Sequence, residues 1–210
     1  MIVWRSAIYD SSLEAPSASN PWVNIKQLND HERAVTSIFI ADEMCLFCTS
    51  STDASVNLYN LWSAEFIRQF RHPSSLPIYS AVLSQCPLPL VCFFSKDDHM
   101  WHAQTLNGQS LEDDSAEQKK LRYEEASHIV QPLIVKSSQH LDKLVYGSGS
   151  ERGTIQMRHL PSLERYRKLS ASKEYPVLTL LISPDRRFLL AGCGDGGLIV
   201  ITDKVDTSTA

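Results

Sequence analysis

The sequence predicts an all-β protein assembled from a repeated unit of about four short strands. Three observations lead there. Apolar and β-branched runs of about four to eight residues recur, separated by clusters of Ser, Asp, Asn, Gly and Pro, and none keeps a helical apolar period for long. Four similar runs then open successive units: Val35-Thr-Ser-Ile-Phe-Ile, Ile78-Tyr-Ser-Ala-Val-Leu, Ile129-Val-Gln-Pro-Leu-Ile-Val and Val177-Leu-Thr-Leu-Leu-Ile. They stand 43, 51 and 48 residues apart. Finally, runs such as Leu189-Leu-Ala and Leu198-Ile-Val-Ile are apolar at consecutive positions, as strands covered on both faces must be. A period of roughly 40–45 residues with four strands per unit is the β-propeller signature.

The elements follow in chain order. Residues 1–34 hold partial blade strands and a linker: 1–4 read as a third strand and 22–28 as an outer strand, separated by a small, polar loop at 11–20. A blade occupies 35–77, with strands at 35–40, 45–49, 56–61 and 66–70. The next, 78–128, has strands at 78–83, 90–94 and 100–106, then a polar insertion at 112–125. Ser115 and Gln118 could form a capping box there, supporting one or two helical turns. The insertion's acidic start lacks the Gly and spaced oxygen ligands of a calcium loop. The blade 129–176 has strands at 129–135, 144–146 and 155–158, and the last, incomplete blade at 177–203 has them at 177–182, 188–191 and 198–201. Residues 204–210 read as a disordered tail. The expectation is a partial ring of about four blades.

Composition bounds the function. The 210 residues carry 20 Lys+Arg and 24 Asp+Glu, a formal net charge of −4, which argues against the basic footprint of a nucleic-acid binder. Arg68, Arg71, Arg165, Arg167 and Lys168 are scattered rather than striped. No apolar run reaches the roughly 18 residues of a membrane span, and Arg5 and Asp10 interrupt any signal-peptide core. The expected compartment is the cytoplasm, and five cysteines, mostly inside apolar segments, fit that reading as buried thiols.

Candidate chemical motifs each have a plainer reading. Cys45-Leu-Phe-Cys48 has strand residues around it and no second ligand pair, so both cysteines are expected in the core. His99 and His102 lie three apart on an expected strand, point to opposite faces, and read as surface or turn residues. Gly147-Ser-Gly149 and Gly192-Cys-Gly194 precede strands rather than helices, so they read as hairpin turns, not phosphate loops. No G-x-S-x-G elbow occurs. Catalytic, metal and cofactor residues are therefore expected to be none.

The unit beginning at His31 resembles a WD repeat. That family's structural relay joins a His before the first strand, a Ser or Thr on the second, an Asp in the next turn and a Trp on the third. The matching residues are His31, Ser50 or Ser51, Asp53 and Tyr59, with six positions from Asp53 to Tyr59. A buried carboxylate in a tight turn needs donors, and the imidazole and backbone N–H groups supply them. The last unit resembles the pattern with Asp195 in its turn, but Ile201 stands at the Trp position and no His precedes Val177 at the family distance. The third unit has Arg152 at the Asp position; the second has Asp98 there but Gln104 at the Trp position.

A narrower resemblance joins the run Val56-Asn-Leu-Tyr-Asn-Leu-Trp-Ser-Ala-Glu-Phe-Ile-Arg-Gln-Phe-Arg-His-Pro73 with 105–111, Ser127-His-Ile129 and Gly153-Thr-Ile-Gln-Met-Arg158. Together these resemble the C-terminal WD-repeat region of BEACH-domain proteins of the neurobeachin and lysosomal-trafficking-regulator type, without the BEACH domain. The resemblance implies a non-catalytic scaffold in vesicle trafficking or lysosome-related organelle organisation. Its partners would be other proteins held by the propeller loops, with an indirect, peripheral association with endomembranes. The alternatives are a generic WD-repeat adaptor, a propeller enzyme with titratable groups lining the channel, or a nucleic-acid-associated protein. A partial ring exposes two apolar blade faces. Residues 1–28 could complete the last blade; otherwise the expectation is a fragment of a longer propeller, or self-association that completes the ring.

Overall fold

In the computed structural model, the described residues are 2–6, 22–85, 87–111, 115, 117, 119, 123, 129–135, 142–148, 153–172, 174–185 and 187–202. Every sheet is antiparallel and joins strands consecutive in sequence. The first full blade contains β3 (Val35–Ala41), β4 (Leu46–Ser51), β5 (Ser55–Asn60) and β6 (Phe66–Arg71). The second contains β7 (Ser80–Ser84), β8 (Leu90–Ser95) and β9 (Met100–Thr105). The third contains β10 (Ile129–Val135), β11 (Lys143–Ser148), β12 (Thr154–His159) and β13 (Arg165–Ser170), and the last β14 (Val177–Ile182), β15 (Phe188–Cys193) and β16 (Leu198–Thr202). The first strands stack in turn, β3 on β7, β7 on β10 and β10 on β14. The fold is an all-β partial propeller.

Burial explains the unbroken apolar runs. All six residues of β8 are buried. Val91 and Phe93 pack toward the first blade with Cys48, Leu58 and Phe70. Leu90, Cys92 and Phe94 pack the other way, with Trp101, Leu144 and Tyr146 of the junction to the third blade. Each such side chain contributes about 1.5–3 kcal/mol by leaving water, and a strand that does so on both faces has no use for polar alternation. A further cluster around Val145, Ile155, Val177, Leu180 and Ala191 joins the third and last blades. At the free end β14 is buried on one face only, with Val177 and Leu180 inside and Leu178 and Leu181 outside, the odd spacing following the register shift between Val177 and Thr179.

Several expectations change. β13 is a strand that hydrophobic runs did not disclose, because its Arg165-Tyr-Arg-Lys168 stretch lies on the exposed outer edge of its blade. In the second blade two isolated bridges, Gln104 to Ser110 and Met100 to Tyr123, stand where a fourth strand would lie. The first bridge's register would set Met100 opposite residue 114, whereas its partner is Tyr123. Within the insertion, Lys119 N donates to Ser115 O and Tyr123 N to Lys119 O, at 3.0 and 3.1 Å, and Glu117 and Lys119 are helical. Gln118, the proposed cap partner of Ser115, lies outside the described residues. Residues 1–28 do not complete the last blade: β1 (Ile2–Ser6) and β2 (Trp22–Gln27) pair with each other, and the only described partner of β16 is β15.

Of the glycines read as turn residues, Gly147 and Gly192 lie inside β11 and β15, paired with Ile155 and Leu198; the hairpin role falls to Gly196. Gly196 has a φ of 83°, and its N–H donates to Cys193 O while Cys193 N donates to Gly197 O. Cys48 and Cys92 are core thiols and burial pushes the Cys48 pKa up, but Cys45 is exposed, at a left-handed position (φ 52°) after the 3₁₀ turn Asp42–Met44. Gly149, Arg152 and the tail 204–210 lie outside the described residues. Among those described, no helix is long and apolar enough to cross a membrane.

Candidate functional site

Two imidazole–carboxylate clusters lie at blade turns. In the first, His31 sits in the segment before β3 and Asp53 in the β4–β5 turn. His31 Nδ1 lies 2.9 Å from Asp53 Oδ2, and Nε2 lies 2.8 Å from Thr49 Oγ1. An ionised carboxylate only accepts, so Nδ1 carries the proton and Nε2 accepts from the Thr49 hydroxyl. Asp53 also accepts from Glu32 N at 3.0 Å, Ser55 N at 3.0 Å and Ser55 Oγ at 2.6 Å. Burial raises the Asp53 pKa, but the donors Ser55, His31 and Glu32 N–H outweigh it and hold the carboxyl below its ordinary value.

The hydroxyl on the imidazole is thus Thr49, one residue before the expected pair. Ser51 Oγ instead accepts from Asp53 N at 3.1 Å. Ser50 faces β3, with Thr36 Oγ1 at 2.8 Å and Ser37 Oγ at 2.6 Å. Those two hydroxyls reach the second blade: Thr36 donates to Ile78 O at 2.7 Å, and Ser37 accepts from Ala81 N at 3.1 Å. Ser50 therefore belongs to a hydroxyl ladder between blades. Tyr59 is buried, stacks on Phe47 at 4.9 Å and donates to Asp30 Oδ2 at 3.2 Å, outside the imidazole's hydrogen bonds. Burial leads the effects that push its pKa up to about 12. Asp195 is exposed, and its described hydrogen bond is from Gly197 N at 2.8 Å, within its own turn.

The second cluster corrects the reading of His102, which is buried rather than at the surface. His72 follows β6, Asp98 lies in the β8–β9 turn and His102 is on β9. His72 Nε2, His102 Nε2 and Asp98 Oδ2 are each 3.0 Å from the other two. Met100 N donates to Asp98 Oδ1 at 3.0 Å, which leaves Oδ2 facing the imidazoles. Phe93 stacks on His102 at 5.2 Å. Burial raises the Asp98 pKa, but hydrogen bonds from His102, then His72, dominate and hold the carboxyl well below the carboxylate range. His99 stays in the turn with φ 57°, so strand alternation does not relate it to His102.

A third buried charge is structural. Arg158 donates from Nε to Tyr146 Oη at 2.6 Å, from Nη1 to Leu163 O at 2.8 Å and from Nη2 to Tyr123 O at 2.8 Å. It fastens the insertion at Tyr123 to the third blade.

The sheets of three and four strands stack blade on blade as in a propeller, and two of them carry a His–Asp pair at a blade turn. The WD domain, G-beta repeat pattern matches residues 22–60 and 163–201. No curated protein matches the sequence. Among solved structures, the chain is similar to the crystal structure of the computationally designed Ika4 protein. That match has 15% identity, covers 84% of this chain and 95% of the other, and has a TM-score of 0.55. It bears on the fold alone.

Proposed function

We propose that the chain is a non-catalytic protein-interaction scaffold whose two end sheets seat a second copy of itself. WD-repeat propellers generally act as such platforms, presenting loops on a rigid stack of sheets. One observation carries the reading of the ends. Internal sheets bury both faces, whereas the last blade exposes Leu178 (59%), Leu181 (60%), Leu198 (68%) and Val200 (55%). The first full blade likewise exposes Ile38 (56%) and Ile40 (59%) on the face turned from its neighbour. Contiguous apolar patches of this kind mark association surfaces.

The occupant is argued from the internal junctions. There the trailing face of one blade meets the leading face of the next, Leu, Val and Phe against Ile, Leu and Ala. The two free faces are both apolar, as the buried junctions are. Two copies joined head to tail at both ends close a ring of about eight blades, within the usual range of about four to eight. Sedimentation of the purified chain tests this. A dimer that Leu198→Glu converts to monomer supports it; a wild-type monomer overturns it, and blades supplied by other polypeptides then become the occupant.

The finer role, in vesicle trafficking or lysosome-related organelle organisation with peripheral endomembrane association, rests on the BEACH-type runs at 56–73, 105–111, 127–129 and 153–158. Fluorescently tagged chain concentrated on endosomal or lysosomal membranes would support it. A uniformly diffuse signal would remove it and leave the general scaffold.

A further inference from the structure

The His72–Asp98–His102 cluster differs from the first one in a way that simple hydrogen bonding does not satisfy. Its three polar atoms form a triangle with every edge at 3.0 Å. Each edge is a hydrogen-bond length, but a proton serves one edge at a time. Ser74 N donates to His72 Nδ1 at 3.1 Å, so in the neutral ring the proton is on Nε2. If His102 Nε2 also carries one, both N–H groups point to Asp98, and the two nitrogens face each other with no proton between them. If His102 Nε2 is bare, it can accept from His72, but its lone pair then confronts the carboxylate. In neither arrangement are all three edges bonded.

A cation bound to all three lone pairs removes that conflict. We propose that His72 Nε2, His102 Nε2 and Asp98 Oδ2 form a facial two-histidine, one-carboxylate site for a divalent first-row transition ion. An ion about 2.0–2.1 Å from atoms with this spacing subtends angles of about 95° and stands about 1.1 Å out of their plane. That is the facial arrangement, with the opposite positions left for water. The two imidazoles are buried (side chains 1% and 5% exposed), whereas the Asp98 side chain is 22% exposed and gives the ion an entry side. The ligands are held from behind: Met100 N–H fixes Asp98 Oδ1, and Phe93 fixes the plane of the His102 ring. Loading moves the His72 proton from Nε2 to Nδ1, so the Ser74 N–H contact is given up; Ser74 lies in an exposed turn that includes Ser75 at φ 56°. The ring flip relative to His31, which presents Nδ1 to its aspartate, is what brings both Nε2 atoms to one point.

The test uses the whole chain, stripped of metal by a chelator and titrated with Co²⁺ and with Zn²⁺. The expected result is one saturable equivalent by calorimetry, with a visible Co²⁺ absorbance that zinc displaces. His102→Phe keeps an aromatic ring against Phe93 but removes the ligand. It should weaken binding by about 100-fold or more, since losing even an outer-shell partner costs about 10–100-fold. His159→Gln, elsewhere on the third blade, should leave binding unchanged. If His102→Phe does not fold, Asp98→Asn replaces it with the same expected loss. Absence of heat and absorbance in the wild-type chain would overturn the site, as would undiminished binding in a folded ligand variant; the triangle is then a structural relay only.

Discussion

The first and second full blades place the same pair, a histidine ahead of the first strand and an aspartate in the second turn, in different company. Around His31 and Asp53 the remaining positions are hydroxyls, Thr49 and Ser55, which rotate to donate or accept as needed. Every polar atom there finds a partner of opposite role. Around His72 and Asp98 the third group is the rigid imidazole of His102, and four positions before Asp98 the chain has Phe94, where Thr49 stands before Asp53. One blade therefore has a closed hydrogen-bond relay, and the other a cluster with three polar atoms converging on one point. The chemistry of a conserved-looking pair is set by its third partner.

The largest effect separating the two should come from the relay's hub. Asp53 accepts from four groups, so Asp53→Ala orphans several donors at once and should cost about 1–3 kcal/mol. A urea melt measures the loss, and an unchanged midpoint would count against the relay. Acid should act on both blades in the same direction. Each aspartate's folded pKa lies below its ordinary value, so as pH falls the unfolded chain takes the proton first. Their contribution is complete above the unfolded carboxyl pKa of about 4 and is lost as pH drops through the folded values. Melting temperatures between pH 7 and pH 2 should fall more steeply in the wild type than in an Asp53→Asn, Asp98→Asn double variant; parallel curves would contradict that sign. The smallest change should be Thr49→Val, which removes the hydroxyl from His31 Nε2 and should cost about 0.5–1.5 kcal/mol. If it costs nothing, water serves as well as Thr49 and the contrast between blades weakens.

The sequence made the stacking legible because burial on both faces leaves a mark: β8 reads Leu-Val-Cys-Phe-Phe-Ser without alternation. His31 and Asp53 were legible through the resemblance of their unit to a WD repeat. In the second pair Asp98 was legible at the Asp position but His72 was hidden by spacing, since 26 positions separate it from Asp98 against 22 for His31 and Asp53. The rule that fits one blade thus passes over the other. The choice of Ser50 over Thr49 reflects the period of a strand, since neighbouring residues point to opposite faces and register is invisible without the partner strand; Ser51 shares the face of Thr49 but lies at the turn and binds Asp53 N instead. β13 was missed for the opposite reason to β8. An outer strand covers little, so Arg165, Arg167 and Lys168 can occupy it, and Leu169, which packs on the core, is too isolated to make an apolar run.

The account rests most heavily on the bare sheets at the two ends of the stack. Sedimentation velocity of the 23.6 kDa chain over a range of concentrations addresses them directly. A dimer is expected, reverting to monomer when Leu198→Glu or Ile40→Glu charges either end face. A monomer at every concentration, with both variants indistinguishable from the wild type, would contradict it.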